Sequence, residues 1–480
     1  MTVGRNAVSR RRALQILGGG GLIGLAGCTS AVNPLSDQGS ISPGEEPSVK
    51  SRDPPSGPPD TAVELTPEPA GEDSPAGVSA ETWLYNDALP GPEIRAAEGD
   101  VIGVSLENGL SARTTVHWHG IPLANAMDGV PNVTQAPVEP GESFDYRFRA
   151  EPAGTYFYHS HAGLQLDRGL AGPLVIEESD PHVEYDREHV IVLDDYLSQA
   201  PRAPDSDGAS EMQEGGPMGG MMNVYRPPYT GMIMNGRLAS NAPFFDVTEG
   251  DRVRLRFVNA SSATMFQVRT AGHQLDISHA DGRPVEPVSA DSFTFGPGER
   301  YDAIITADNP GTWEILADPV RGSEPSARGI LRYEGEEERT PTPSEMGGRE
   351  LSYDDLRAIE PIEGLDGTPD RTFDLTLSPG GDGYSWAIDG QTYPDADPLD
   401  VAHGDHVRIR MQNRSPVSHP MHVHGHFFQV GTAVKDTVVV PGRMGQTTID
   451  FKADNPGNWF FHCHNLYHLE AGMARVIRYV

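Results

Sequence analysis

Pro456-Gly457-Asn458-Trp459-Phe460-Phe461 is a glycine turn running into an aromatic strand. The chain carries the same phrase twice before, as Ala153-Gly154-Thr155-Tyr156-Phe157-Tyr158 and Pro310-Gly311-Thr312-Trp313-Glu314-Ile315. A second phrase recurs with it: Ala97-Glu98-Gly99-Asp100-Val101 running to Asn108, Thr248-Glu249-Gly250-Asp251-Arg252 running to Asn259, and Ala402-His403-Gly404-Asp405-His406 running to Asn413. Each of these is a Gly-Asp turn followed by alternating apolar and polar residues, the period of a strand with one face buried. Units repeating at about 150 residues are too long for a solenoid and signify duplicated domains. Between the phrases lie short runs broken by Gly, Pro, Asn and Asp, which predict β-sandwiches rather than helices. The expected fold is all-β, with three sandwiches in series. A length of 480 residues suits that count, at roughly 100–150 residues per domain.

Matched anchors serve as rulers, because equal steps from them land on equivalent structural positions. Nine residues after Asn108 stands His117-Trp118-His119, and nine after Asn413 stands His422-Val423-His424; nine after Asn259 gives only Val268-Arg269-Thr270. Five residues after Gly154 comes His159-Ser160-His161, and five after Gly457 comes His462-Cys463-His464; five after Gly311 gives Leu316-Ala317-Asp318. The outer two domains therefore carry matching histidine pairs, and the middle domain carries none.

On a strand, a His-x-His pair puts both imidazoles on one face. A single such pair is more often a surface feature than a ligand pair. Four at repeat-matched positions supply eight imidazoles, enough for a three-metal cluster where the outer domains meet. Imidazole suits copper, zinc, iron and nickel alike. Cys463 narrows the choice, because its thiolate points away from both neighbouring histidines and so faces a different metal. The candidates on that side are His419, three residues before the His422 pair, and His468 and Met473, which follow the cysteine; two imidazoles, a thiolate and a weak thioether make a blue-copper electron-transfer centre. The backbone from Cys463 to His462 and His464 is then a short covalent path for electrons.

His-Trp-His-Gly, His-Ser-His, His-Pro-Met-His-Val-His-Gly and His-Cys-His-x-x-x-His-x-x-x-x-Met together resemble the four copper motifs of multicopper oxidases, in the laccase-like three-domain branch. The likeness covers Glu81 to Val480. It implies three cupredoxin-like Greek-key domains and four copper ions: one type 1, one type 2 and two type 3. On matching positions it implies type 1 ligands His419, Cys463, His468 and axial Met473, and type 2 ligands His117 and His422. It implies His119, His159 and His464 on one type 3 ion, and His161, His424 and His462 on the other. Methionine in the axial place, where many laccases have leucine or phenylalanine, implies a lower potential and easily oxidised donors. Reducing dioxygen to water consumes protons, and Asp128 in Met127-Asp128-Gly129-Val130-Pro131 resembles the family's acid near the cluster; a turn aspartate beside glycine is the competing reading. Where the family sometimes has a second acid this chain has Leu469, with Glu470 adjacent.

The implied activity is that of a laccase-like oxidase, oxidising phenols or aromatic amines one electron at a time and passing four electrons to O2. Its partners are a small reducing molecule and O2. A cuprous or other metal oxidase serving copper tolerance is the alternative on the same ligands. A non-enzymatic copper carrier or electron-transfer cupredoxin is the alternative of another class, and the eight additional histidines argue against it. Met212, Met218, Met221, Met222, Met232 and Met234 cluster among glycines and prolines; soft thioethers bind Cu(I), while a loop of no function is the plainer reading. His426 continues the third motif without a ligand partner by spacing, and is read as a residue that either supports the ligands or packs. Asn132, Asn259 and Asn413 begin glycosylation sequons, though the last two also close the repeated strands.

At the N-terminus, Ser9-Arg10-Arg11-Arg12-Ala13-Leu14 precedes an apolar stretch ending in Leu25-Ala26-Gly27-Cys28, a twin-arginine signal closing on a lipobox-like site. Residues 1–28 are read as that signal and 29–77 as a disordered tether rich in Ser, Pro and acidic residues. The sandwiches are expected at 78–180, 181–333 and 371–480, with a linker over 334–370. Export, then attachment to the outer face of the cytoplasmic membrane through lipid on Cys28 or release outside the cell, is the expected location. With Cys28 so used, Cys463 is the only cysteine left. The formal charge of −33, from 69 acidic and 36 basic residues, argues against nucleic acid as a partner. It suits a salt-adapted organism, since dissolved ions screen the self-repulsion.

Overall fold

A computed structural model describes residues 49–204 and 225–480, apart from Glu72, Asp73, Ala76, Glu337, Glu338, Met346 and Asp382. The signal, Cys28, the first part of the tether and Met212, Met218, Met221 and Met222 lie outside the described residues. The rest is built almost wholly of strands, as the alternating runs predict. In the first sandwich, Thr61–Leu65, Val101–Glu107 and Ser143–Arg149 form one sheet, and Ile94–Ala97, Ala171–Glu177, Gly154–His159 and His117–His119 form the other. The second has sheets of seven and six strands, and the third of six and five. Among the described residues no helix is long and apolar enough to cross a membrane.

The repeated phrases do the same structural work in each sandwich. Gly99, Gly250 and Gly404 have φ of 92°, 96° and 91°, a left-handed turn open to glycine without steric cost. The following aspartate locks it, accepting the backbone N–H of Ala97, Thr248 or Ala402 at 3.1, 3.1 and 2.9 Å. At the strand ends, Asn108, Asn259 and Asn413 are buried and donate their amides to two carbonyls each. Asn259 and Asn413 are thus committed to strand ends, which leaves Asn132 as the exposed sequon.

Three expectations are corrected by the structure. The first sandwich starts before residue 78: Thr61–Leu65, assigned to the tether, pairs in parallel with Val101–Glu107. Flanking prolines hide a five-residue alternating strand whose Leu65 is fully buried. The 334–370 connection is no free linker, because Glu350–Leu351 adds to the edge strand Ser292–Phe295 and Leu356 is buried. Met232 and Met234 sit in the strand Gly231–Met234 with side chains fully buried in the core, so they belong to packing rather than to an open thioether loop.

Candidate metal centre

Sheet register sets the histidines face to face. His117–His119 pairs antiparallel with Gly154–His159, placing His117 opposite His159; His419–Val423 pairs with Asn458–Cys463, placing His422 opposite His462. Directly opposed residues have Cβ atoms about 4.5–5.5 Å apart, so each outer domain presents a compact group of imidazoles. The two groups meet: ring centroids lie 3.9 Å apart for His117 and His424, 3.8 Å for His119 and His422, and 4.8 Å for His119 and His464. His159 reaches His464 at 5.2 Å, and His161 reaches His424 and His462 at 5.1 Å each. All eight predicted cluster histidines are brought together and buried.

Hydrogen bonds fix which nitrogen each ring offers. Nδ1 of His117, His159, His422 and His462 lies 2.8–3.0 Å from a backbone carbonyl, on Asp128, Ser160, Asp436 and Cys463 respectively. A neutral ring donating there presents Nε2 as a lone pair. His119 is reversed. Its Nε2 lies 3.1 Å from both Asp436 Oδ1 and Thr437 Oγ1, leaving Nδ1 free. Nε2 of His117, His159 and His422, Nδ1 of His119 and both nitrogens of His464 are buried with no hydrogen-bond partner. Each such orphan costs about 1–3 kcal/mol, and their convergence is what a metal cluster would relieve. Elsewhere in the group, Nε2 of His462 faces Nε2 of His424 at 2.9 Å and of His161 at 3.4 Å.

Cys463 faces the other way. Its Sγ lies 3.6 Å from His419 Nδ1 and 3.5 Å from His468 Nδ1, and those two nitrogens are 3.0 Å apart. Asn465 makes this possible by capping the short helix Leu466–Glu470 through the N–H groups of Tyr467 and His468, which returns His468 beneath the cysteine. Met473 is fully buried, and its carbonyl accepts the Cys463 N–H at 3.0 Å. Trp386 packs on the outer side, 4.2 Å from the His468 ring and 4.9 Å from that of His419.

The comparisons agree across the chain. Three family models, each described as multicopper oxidase, match residues 70–181, 187–336 and 367–480. The chain belongs to the multicopper oxidase family. Among its relatives are the multicopper oxidase MmcO of Mycobacterium tuberculosis, 36% identical over 87% of this chain and 86% of that protein, and copper resistance protein A of Escherichia coli, 27% identical over 87% and 91%. The laccase from Botrytis aclada superposes with a TM-score of 0.72 at 25% identity, over 87% of each chain.

The cofactor of this multicopper oxidase is accordingly copper, and the donor set fits it: orphaned imidazole nitrogens in one group, thiolate with two imidazoles in the other. Burial keeps the imidazoles neutral, as ligands must be. It holds His119, His159, His161, His424, His462, His464 and His468 well below the usual histidine range, and His419 at about 3. Burial pushes the Cys463 thiol far up, so it is metal binding that displaces its proton.

Asp128 is no free turn residue. Its carboxylate lies 3.1 Å from His424 Nδ1 and 3.3 Å from His117 Nδ1, and it is buried. Replacing it by asparagine keeps the shape and removes the charge. The expected outcome is blue absorbance unchanged and steady-state oxygen uptake down by about 10–100-fold, the usual cost of losing a ligand's hydrogen-bonding partner; unchanged uptake would remove Asp128 from the reaction. His426 is buried, with Nε2 2.6 Å from the Tyr479 hydroxyl and Nδ1 3.0 Å from the backbone carbonyl of His424. Asp436 and Thr437 touch histidines of the cluster group and Trp386 touches the two histidines beside Cys463; none of the three was predicted from the sequence. The available signal for Asp436 was a Lys-Asp pair inside the apolar run Ala433–Val440.

Proposed function

We propose that the chain is a laccase-like oxidase that takes electrons singly from phenols or aromatic amines. His419, Cys463, His468 and Met473 would hold the type 1 copper. His117 and His422 would hold the type 2 ion, with His119, His159 and His464 on one type 3 ion and His161, His424 and His462 on the other. Bound there, copper supplies one-electron uptake at the first centre and four-electron reduction of O2 to water at the cluster. The carrying observation is the aromatic wall on the type 1 side. Beyond Trp386 stands Tyr384, 6.3 Å away by ring centroids, then Tyr225, 5.9 Å from Tyr384 and 5.2 Å from Tyr467. Tyr225 and Tyr384 are partly exposed, and offset or edge-on stacking suits them to flat aromatic donors. The similarity to a laccase supports this reading.

Cuprous ion as donor is the second reading. The described chain resumes at Tyr225, directly after the segment holding Met212, Met218, Met221 and Met222, and Tyr225 packs on Tyr467, next to His468. A copper resistance protein is also among the relatives. Oxygen uptake by the copper-loaded protein, with 2,6-dimethoxyphenol or Cu(I) as sole donor, separates the two. Faster uptake with the phenol is expected, and it should survive deletion of Met212 to Met222. Faster uptake with Cu(I), lost on that deletion, would make the protein a metal oxidase. The acidic composition places the assay at high salt, as for a salt-adapted protein. The same proposal puts the enzyme outside the cytoplasmic membrane, held by lipid on Cys28 or released, and the twin-arginine and lipobox patterns support it.

A further inference from the structure

The middle sandwich holds no predicted ligand, yet its Arg300 and Asp281 hold the segment that orients two cluster histidines. Asp436 is the meeting point. Its Oδ1 lies 3.1 Å from His119 Nε2, and its backbone carbonyl lies 2.9 Å from His422 Nδ1. Thr437 Oγ1 stands 3.1 Å from the same nitrogen of each ring. One short segment of the third sandwich therefore orients a histidine of the first and a histidine of its own.

What holds that segment comes from the middle sandwich. Arg300 donates to both carboxylate oxygens of Asp436, from Nη1 at 2.8 Å and Nη2 at 2.7 Å. It also donates from Nε to the Thr155 carbonyl of the first sandwich at 3.2 Å. Asp281 accepts the backbone N–H of Asp436 at 3.2 Å and of Thr437 at 3.1 Å. Lys435 bridges Asp281 and Glu299 at 3.1 Å each. All these side chains are buried.

The glycines agree with the ion pairs. A Cβ on Gly120, which ends His117-Trp118-His119-Gly120 and has φ of 90°, would lie 2.4 Å from Arg300 Nη2 and 2.5 Å from Asp436 Oδ2. That motif is glycine-terminated because the Arg300–Asp436 pair passes against it. A Cβ on Gly298 would lie 2.9 Å from His464 Cδ2 and 3.0 Å from His119 Cε1, so the middle sandwich presses its backbone on two cluster rings.

Burying a charge costs several kcal/mol, and apolar residues often replace such networks without loss of stability. A fork of two parallel bonds between guanidinium and carboxylate supplies direction instead. We propose that the middle sandwich is the positioning frame of the cluster, with Arg300, acting through Asp436, fixing the tautomer and orientation of His119. The proposal rests on these histidines holding the cluster ions.

The test uses copper-loaded full-length protein and Arg300→Lys, with Arg254→Lys as control. Arg254 is equally buried in the same sandwich, but its partners are Asp302, Glu178 and His279. Copper per chain, blue absorbance and the type 2 electron paramagnetic resonance signal are followed during dialysis against a chelator. In Arg300→Lys, cluster copper should leave about 10–100-fold faster than in wild type. The blue absorbance should be kept and the type 2 signal altered through His422, whose Nδ1 the Asp436 carbonyl holds. Arg254→Lys should release cluster copper within about twofold of wild type, whatever it costs in thermal stability. Equal acceleration in both variants, or wild-type retention in Arg300→Lys, overturns the proposal. Should Arg300→Lys fail to accumulate, Asp436→Asn keeps the side-chain shape, weakens the fork and is read by the same criteria. A wild-type chain that binds one copper only would sink the cluster reading itself, and the frame with it.

Discussion

Cys463→Ser should abolish the blue absorbance and bring oxygen uptake with any donor to background, while the cluster histidines still take up copper. The thiolate would be the charged soft ligand of the centre, beside the weaker Met473 thioether, and it lies 3.5–3.6 Å from two imidazole nitrogens; a serine hydroxyl offers a hard, weakly acidic oxygen in its place. The substitution also removes the sulfur that begins the covalent path through the backbone to His462 and His464. The loss should exceed the roughly 10–100-fold that removing a mere supporting partner costs. Folding should survive, since serine is close to isosteric. Burying its hydroxyl costs about 1–3 kcal/mol if unpaired, and His419 and His468 stand near enough to pair with it. Visible absorption, copper per chain and an oxygen electrode read the three parts of the result. Retained blue colour would place the copper on another residue.

The parts of this site legible in the sequence are those written at strand period. His-x-His puts two rings on one face, Cys463 faces away because it sits between two histidines, and the repeat anchors align the pairs of domains one and three. In the middle domain the four histidine places are taken by Val268 and Thr270 on strand Phe266–Thr270 and by Leu316 and Asp318 on strand Thr312–Pro319, and Asp318 pairs instead with Arg269 at 2.6 Å. The frame around His119 was not legible, because Arg300, Asp436 and Gly120 come from three different sandwiches. No local period encodes a contact between separate domains. Thr61–Leu65 was missed for a different reason: a strand of five residues between prolines is compositionally indistinguishable from the tether before it. Trp386 was missed because a single tryptophan ahead of a turn carries no signal of the ring it will cover.

Acid should unfold the copper-free protein well before it unfolds the loaded one. Seven buried histidines are held well below their usual range and His419 at about 3. An unfolded chain protonates the same rings from about pH 6.5 downward. Below that point the unfolded state binds more protons, so the stability these histidines allow is whole above about pH 6.5 and falls as the pH drops. Each unit of lowering is about 1.4 kcal/mol, against a total stability of roughly 5–15 kcal/mol. Some buried acids act in the opposite sense: burial pushes Glu470 up to about 8 and raises Asp167 and Asp194. These groups take up protons on folding and favour the folded state in acid. Burial raises Glu299 as well, and four such carboxyls against eight imidazoles still leave the histidines dominant, so copper-free protein should lose its near-ultraviolet circular dichroism cooperatively near pH 5. In the loaded protein protons must compete with copper for the same nitrogens, which moves the midpoint down by at least about one unit. Identical acid midpoints with and without copper, at fixed high salt, would mean that these rings are not the ones the metal stabilises.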